Sequence, residues 1–222
     1  MAGGRVVTLD GPAGAGKSTV ARRLAETLGW RFLDTGAMYR AVTLAALRSS
    51  VDHAREADLA LLVETLTVEL PPGRVLLNGE DVSLAIRSAD VTENSRYAAD
   101  SPSVRARLVA WQRSMARHDD LVTEGRDQGT LVFPQAFRKY YLTASARERA
   151  RRRAAEMHAR GEPAVLDDVL RDLTARDARD AARAIAPMKP ADDAFVVDST
   201  GLSIEQVVDL LATDVRVQLG RA

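Results

Sequence analysis

Nine residues near the start of the chain constrain its fold more than any other stretch. They are Gly11, Pro12, Ala13, Gly14, Ala15, Gly16, Lys17, Ser18 and Thr19. This run fits the pattern G-x-x-x-x-G-K-[ST] of a phosphate-binding P-loop. Residues 6–10, directly before it, have the composition of a buried strand, and apolar residues recur at helical spacing after it. Strand, glycine turn and helix therefore follow one another in the order that the motif requires.

The residue types in this loop suit phosphate binding for direct physical reasons. Its glycines let successive backbone N–H groups converge on phosphate oxygens, and the start of the following helix adds a positive dipole end. Lys17 would bring its charge to the β- and γ-phosphates, and the Ser18 hydroxyl would ligate Mg²⁺. A glycine turn that merely starts a helix is the alternative, which the complete motif disfavours. We therefore expect residues 11–19 to bind ATP or another nucleoside triphosphate.

Composition limits the other classes of function. The 222 residues are enough for one domain with insertions. Because 31 basic residues balance 31 acidic ones, bulk charge does not indicate a nucleic-acid-binding or membrane-binding protein. The absence of cysteine excludes disulfides, thiolate metal sites and cysteine catalysis. Since no signal-peptide pattern and no long apolar segment is visible, we expect a cytoplasmic protein.

Polar residues follow two predicted strands, at residues 30–33 and 121–125. Thr35 and Arg40 come after the first, where Asp34 or Thr35 could instead simply cap the next helix. Glu124 ends the second and could help to hold magnesium, or could equally form a buried salt bridge. Arg126 and Asp127 then offer a donor fork and a carboxylate. The ends of parallel strands are a common place for a ligand site.

Two later helices carry many arginines. The first bears Arg147, Arg149, Arg151, Arg152, Arg153 and Arg160. Such a run is commonly a solvated face or a nucleic-acid-binding patch. In the second, Arg176, Arg179 and Arg183 are spaced at i, i+3 and i+7, with Asp180 close by. We predict that this helix ends at Pro187 and Pro190. The helix pair has the features of a lid that closes arginines over a transferring phosphate.

Further predicted elements complete the chain. We expect strands at residues 139–142 and 195–198, a β-hairpin around residues 71–73, and helices over about 57–66, 103–117 and 203–219. Ser203 would cap the last helix.

The combination of motifs resembles the cytidylate kinase family of bacteria, a family of nucleoside monophosphate kinases. The resemblance rests on residues 10–19, 33–40, 79–87, 124–134, 176–187 and 198–200. It implies an α/β P-loop kinase fold, with a five-stranded parallel sheet, helices on both faces, an inserted monophosphate-binding subdomain with a small β-hairpin, and an arginine-rich helical lid. The single domain would comprise a core (1–57, 103–145 and 190–222), the insertion (about 58–102) and the lid (about 146–189).

The resemblance also implies an activity and site residues. The reaction would be ATP-dependent, Mg²⁺-dependent phosphorylation of CMP and dCMP to CDP and dCDP by a monomer. The implied catalytic residues are Lys17, Arg152, Arg176 and Arg183. The implied substrate-binding residues are Thr35, Arg40, Ser95, Arg105, Arg126, Asp127, Asp180 and Arg183. Ser95 and Arg105 would face the cytosine, Asp127 and Asp180 the sugar hydroxyls, and Arg40 with Arg126 the phosphate. Ser18 and Glu124 would hold the metal.

Three other classes of function stay open from the residues alone. A P-loop kinase for UMP, AMP or shikimate would share the core and the lid. A nucleotide-dependent switch is disfavoured, because no Asn-Lys-x-Asp motif for guanine follows a later strand. A nucleic-acid-binding protein would use the arginines of residues 147–160, but the neutral overall charge disfavours it.

Overall fold

The computed structural model describes residues 4–49 and 51–221. They form two compact units. The first unit comprises residues 4–32 and 119–221, and the second comprises residues 33–118. The narrower boundaries predicted above for the monophosphate-binding insertion and the lid stay predictions.

Both units contain strands and helices. The strands span Val6–Asp10 (β1), Arg31–Asp34 (β2), Val68–Glu69 (β3), Leu76–Leu77 (β4), Glu80–Asp81 (β5), Leu121–Glu124 (β6), Arg138–Thr143 (β7) and Phe195–Asp198 (β8). The α-helices span Lys17–Leu28 (α1), Thr35–Arg48 (α2), Glu56–Glu64 (α3), Ala89–Asp100 (α4), Pro102–Met115 (α5), Ala146–Ala159 (α6), Leu166–Ala181 (α7) and Ile204–Leu219 (α8). A 3₁₀ turn covers Ala85–Arg87 and a π-helical turn covers Gln128–Val132.

A five-stranded parallel sheet forms the centre of the first unit, in the order β2-β6-β1-β7-β8. β1 is flanked on both sides by parallel partners, so that Val7 lies opposite Val122 on β6 and Arg138 on β7. All five residues of β1 are buried, as expected for a central strand covered on both faces. The predicted α/β fold with a five-stranded parallel sheet is confirmed.

Helices α1 and α8 contribute to one apolar core with the sheet. Leu24 of α1 and Leu211 of α8 are both fully buried in this cluster. The predicted cap of α8 is present, because the Ser203 side chain accepts from the backbone N–H of Gln206, whose own side chain accepts from the Ser203 N–H. This reciprocal capping box satisfies N–H groups that the helix start would otherwise leave without partners.

A smaller apolar cluster joins α6 and α7 to the P-loop. Its buried members are Ala13, Ala150, Ala154, Val169 and Leu173. The end of α7 differs from the prediction, because this helix ends at Ala181, before Pro187 rather than at it. The chain then turns back, and the Met188 N–H donates to the carbonyl of Asp180 at 2.9 Å. Arg183 therefore lies after the helix and not on its last turn.

The second unit contains α2 to α5 and a small antiparallel sheet in the order β3-β4-β5. The predicted hairpin is present as β3 and β4, and β5 adds a third strand that was not predicted. Asn78 and Gly79 connect β4 to β5, both with positive φ, of 50° and 84°. A two-residue turn with positive φ at both positions matches the twist of a hairpin. The Asn-Gly pair is thus the sequence signal for this second hairpin.

Helix α4 is the other element that the sequence analysis did not predict. It begins after Ser88, whose side chain accepts from the Val91 N–H at 3.3 Å. Only Val91 and Ala98 are buried along its length. Such a narrow apolar stripe gives a weak helical pattern, which explains why the helix was missed.

No helix in residues 4–49 and 51–221 is both long and apolar enough to cross a lipid bilayer.

We predict that Leu211→Ala lowers the free energy of unfolding by about 2–5 kcal/mol, because it removes a fully buried side chain from the main core and leaves a cavity. The neighbouring Leu210 is 45% exposed, so Leu210→Ala is the matched control and should change stability by no more than about 0.5 kcal/mol. Urea unfolding followed by circular dichroism measures both values. Equal losses in the two variants would contradict the assignment of α8 to this core.

Candidate active site

The P-loop takes a backbone shape that only glycine permits at its first position. Gly11 has φ of +138°, and a Cβ placed there would lie 2.0 Å from the carbonyl oxygen of Leu142 on β7. This contact is far shorter than any real Cβ tolerates, so the loop passes against the sheet edge without room for a side chain. Gly14, with φ of +75°, packs less closely but still tightly on α6, because its Cβ would lie 3.1 Å from the Arg149 carbonyl oxygen.

Helix α1 begins directly after this loop with its N–H groups uncapped by a side chain. Its N-cap is Gly16, and its first turn contains no acidic residue. The first N–H groups of a helix lack partners inside the helix and carry the positive end of its dipole. The start of α1 is therefore ready to bind an anion such as phosphate.

Lys17 is buried beside this helix start. Its ammonium group donates to the Pro12 carbonyl at 2.7 Å. Burial, with added repulsion from Arg126 and Arg176, lowers the pKa of Lys17 from 10.5 to about 7, although Glu124 and Asp10 act in the opposite direction. Positive charge from Arg126 and Arg176 thus acts on Lys17 at the start of α1. Such charge beside an uncapped helix start suits a site for a polyphosphate.

Ser18 and Glu124 meet at the predicted metal site. The Ser18 hydroxyl donates to Glu124 Oε1 at 3.0 Å, joining α1 to the end of β6. Hydroxyl and carboxylate oxygens are ligands that Mg²⁺ accepts, and it commonly completes its shell with water and substrate phosphates. No group of three His, Cys, Asp or Glu side chains able to hold a metal exists among the described residues. The donor set therefore fits a Mg²⁺ that arrives with a nucleotide, and the metal role of both residues stays a prediction.

Asp10, at the end of β1, holds the turn that follows β6. Its two carboxylate oxygens accept from the backbone N–H groups of Gln128 at 2.9 Å and Gly129 at 2.7 Å. Burial raises the pKa of Asp10 from 3.8 to about 6, partly offset by these two N–H donors. The turn has no room to shift inward, because a Cβ on Gly129 would lie 3.0 Å from Thr8 Oγ1. Asp10 thereby fixes the segment that carries Arg126 and Asp127.

Asp180 links two of the predicted substrate-binding arginines. It accepts from Arg126 Nε at 3.0 Å and from Arg183 Nη2 at 2.8 Å. Asp180 is buried and both arginines are largely so. Asp127 is also buried, and its backbone carbonyl accepts from Leu131 and Val132 at the π-helical turn. The structure therefore brings Arg126 to Asp180, 54 residues later in the sequence, and to Arg183, which bonds the same carboxylate.

Arg152, predicted to be catalytic, is held by protein partners. It donates to the Ser199 carbonyl at 2.6 Å, to Ser199 Oγ at 3.1 Å and to Glu148 Oε1 at 2.8 Å. Its Nη1 atom lies 3.9 Å from the position that a Cβ of Gly16 would occupy, which places the guanidinium near the start of α1. Arg151 and Arg152 hold the pKa of Glu148 well below its ordinary value.

Two more arginines of α6, and Arg160, which directly follows this helix rather than lying on it as predicted, also have acidic neighbours. Arg151 pairs with Glu148, Arg153 with Glu156, and Arg160 with Glu162. These pairs neutralise much of the positive charge that suggested a nucleic-acid-binding patch. Arg149 differs from them, because it is buried and bonded to the P-loop.

Two of the predicted substrate-binding residues of the second unit, Thr35 and Arg40, lie on α2. Asp34 caps α2 by accepting from the Ala37 N–H at 2.8 Å and lies 3.7 Å from Arg40. Asp34, rather than Thr35, is therefore the capping residue, and Thr35 is the buried first residue of α2. The Arg40 Nε atom is buried and has no hydrogen-bond partner among the described residues.

Arg105 and Ser95 occupy different environments. Arg105 is buried, with its guanidinium 5.9 Å from the centre of the Tyr39 ring. The Ser95 hydroxyl donates to the Thr92 carbonyl at 2.9 Å, a bond within its own helix. Contact of either residue with cytosine stays a prediction.

Sequence reasoning missed Asp10, Glu148, Arg149 and Asp177 as contributors to the site. One available signal was the position of Asp10 at the end of a buried strand, since the same signal singled out Glu124. Glu148 and Arg149 were lost among the charges of α6.

The sheet and its first loop place the protein among the P-loop kinases. A solved structure described as a putative kinase from Chloroflexus aurantiacus has the same fold, with a TM-score of 0.50, 15% identity, and coverage of 98% of this chain and 99% of that one.

Residues 7–217 match the family model for cytidylate kinase. The chain is 45% identical over 219 residues to the cytidylate kinase of Pseudomonas syringae pv. tomato, covering 96% of each. It is 46% identical over 207 residues to that of Pasteurella multocida, covering 91% of each. The chain therefore belongs to the cytidylate kinase family.

We predict that ATP binding at pH 8.5 takes up close to one proton per site. The Lys17 ammonium, with its pKa near 7, is mostly neutral at this pH before binding, and phosphate charge beside it raises the pKa and protonates it. The ATP phosphates, whose second pKa is about 6, are already ionised. Calorimetry in two buffers of different ionisation enthalpy measures the uptake.

The control for this measurement is Lys17→Arg, which stays charged at pH 8.5 and should bind without proton uptake. Binding of ATP to the unmodified protein with no uptake would contradict the lowered pKa of Lys17.

Proposed function

We propose that this protein transfers the γ-phosphoryl group of ATP to CMP and dCMP, giving ADP with CDP or dCDP. Membership of the cytidylate kinase family supports this reaction. The single structural observation that carries it is the start of α1, which no side chain caps and beside which Lys17 is buried, because this arrangement suits a substrate rich in phosphate. We further propose, on the same family membership, that the protein acts as a cytoplasmic monomer.

The donor would bind at residues 11–19. The N–H groups at the start of α1 would receive the phosphates, and Lys17 would neutralise their charge. Ser18 and Glu124 would hold the Mg²⁺, which would shield the charge of the phosphates when it is bound. These interactions would position the donor without any covalent step on the protein.

Transfer itself would depend on positioning and charge. Lys17, Arg152, Arg176 and Arg183 would stabilise the negative charge that develops on the transferring group. Arg152 would exchange part of its bonding to Ser199 and Glu148 for phosphate oxygens. No general base is required, because the attacking group is a phosphate oxygen, which is already a nucleophile.

The acceptor would be recognised through three kinds of contact. We propose Arg40 and Arg126 for its phosphate, Asp127 and Asp180 for its sugar hydroxyls, and Ser95 and Arg105 for cytosine. Thr35 and Arg183 complete the proposed set. Two observations support the phosphate contacts, because arginine binds phosphate in a bidentate way. Arg40 Nε is buried with no hydrogen-bond partner among the described residues, and Asp180 holds the Arg126 guanidinium through Nε.

Acceptor specificity is tested by coupled measurement of ADP release with Mg²⁺ and ATP. CMP, dCMP, UMP, AMP and shikimate are offered separately, beside a control without acceptor. We expect fast release with CMP and dCMP only. Equal release without an acceptor would indicate hydrolysis, and preference for AMP or shikimate would assign the protein a different substrate.

We predict that Arg126→Ala raises the KM for CMP by about tenfold or more, because it removes a charge-assisted phosphate contact. The KM for ATP should change much less. Arg151→Ala is the matched control, since the Arg151 side chain is 65% exposed and pairs with Glu148 on its own helix. Steady-state kinetics with each substrate varied in turn measures both constants.

An unchanged KM for CMP in Arg126→Ala would remove Arg126 from the acceptor site. The same increase in Arg151→Ala would show that the effect is a general response to lost positive charge.

A further inference from the structure

Both polar groups of the Ala13 peptide unit are occupied by residues from α6 and α7. The Ala13 N–H donates to Asp177 Oδ1 at 3.1 Å, and the Ala13 carbonyl accepts from Arg149 Nη1 at 2.9 Å. Arg149 and Asp177 also form a salt bridge with each other. These three bonds link Ala13, Arg149 and Asp177 in a closed ring. We call this set of three residues the Ala13 clamp.

The two charged side chains of the clamp are largely shielded from water, and Arg149 has a further hydrogen bond. The Arg149 side chain is 9% exposed and that of Asp177 15%. Arg149 Nε additionally donates to the Ala144 carbonyl at 3.0 Å, just before α6. A buried ion pair is costly unless such additional hydrogen bonds accompany it, so this geometry indicates a specific constraint rather than a general source of stability.

The packing around the clamp leaves the loop little room to move. Ala13 contributes to the apolar cluster of α6 and α7, and Gly14 lies directly against Arg149. Loss of the Asp177 carboxylate would leave the guanidinium buried without its counter-charge and the Ala13 N–H without its acceptor. The segment of loop that precedes Lys17 would then lose its fixed position.

The clamp also fixes an arginine that acts on the P-loop lysine. Arg176 directly precedes Asp177 on α7, and its charge contributes to the lowered pKa of Lys17. Asp180, one turn later on the same helix, holds Arg126. Anchoring α7 at Asp177 therefore sets the positions of these charged groups relative to the phosphate-binding loop.

We propose that Asp177 and Arg149 are positioning residues for the phosphate donor, which hold the P-loop and Arg176 in one fixed arrangement. This inference rests on the proposed function only in taking ATP as the donor. Neither residue is proposed to contact the substrates.

Equilibrium binding of ATP with Mg²⁺ to Asp177→Asn and Asp177→Ala tests the proposal, measured by calorimetry on the full chain without an acceptor. The amide of Asn can still accept from the Ala13 N–H but does not balance the charge of Arg149. We expect Asp177→Ala to weaken ATP binding by about tenfold or more and Asp177→Asn to have a smaller effect of the same sign. The dissociation constant of CMP should change less than that of ATP.

Asp168→Asn is the matched control. Asp168 lies on the same helix and pairs with Arg171, and both side chains are more than half exposed. The Asp168→Asn variant should therefore bind ATP with the affinity of the unmodified protein. Thermal unfolding of each variant reports whether it folds. If Asp177→Ala does not fold, Asp177→Asn alone decides the question.

ATP affinity within twofold of the unmodified protein in the folded Asp177 variants would overturn the proposal. Equal weakening of ATP and CMP binding would also overturn it, since that result indicates a general loss of structure. Because ATP binding is measured without an acceptor, failure of CMP as a substrate would contradict the proposed function and leave the judgement on the clamp unaffected.

Discussion

The start of α1 presents backbone N–H groups that no side chain caps, and a lysine is buried next to them. Neither feature is favourable by itself, since uncapped N–H groups need partners and a buried ammonium loses its hydration. An anion with several oxygens satisfies both. Much of the surrounding structure keeps the loop in the shape that suits such an anion, from the sheet edge that excludes a side chain at Gly11 to the π-helical turn held by Asp10.

Three carboxylates around the site lie close to cationic or hydroxyl side chains. Glu124 lies near Lys17 and bonds to Ser18, Asp180 bonds two arginines, and Asp177 bonds Arg149. Each carboxylate holds cationic groups in a defined place before a ligand arrives, which reduces the reorganisation that binding requires. Burial, with added repulsion from nearby arginines, lowers the pKa of Lys17, so an anion that binds beside it restores the protonated form.

Sequence patterns predicted the structural elements whose formation depends on residues that are close together in the chain. The P-loop, the five strands of the parallel sheet and the Ser203 cap each depend on residues close together in the chain, and each lies within about two residues of its expected place. Helix α4 and strand β5 were missed, because one has few apolar residues and the other has only two residues after an Asn-Gly turn. The end of α7 was set by a turn back to Asp180 and not by the proline that the sequence displays.

The hydrogen-bond and ion-pair partners of the charged residues could not be predicted from the sequence. Nothing local to Asp177 shows that it meets Ala13, 164 residues away, or distinguishes Arg149 from the exposed arginines around it. The sequence identified Arg126, Asp180 and Arg183 only through a family resemblance, and their mutual bonding becomes visible only in the folded chain. Charge type can be taken from a sequence, whereas pairing depends on the tertiary structure.

The clamp at Ala13 has a mechanical consequence for the two arginine-rich helices. Arg149 lies near the beginning of α6 and Asp177 near the end of α7, so both helices are pinned at the ends that are farthest from the loop connecting them. From Arg149 to Ala159 the helix extends about 15 Å, at roughly 1.5 Å per residue. A rotation of about 20° around the pinned end would move the tip by about 5 Å on this lever, while Arg152, only one turn from the pivot, would shift by less than about 2 Å. Large displacement of the tip is thus compatible with near-constant placement of the arginine closest to the P-loop.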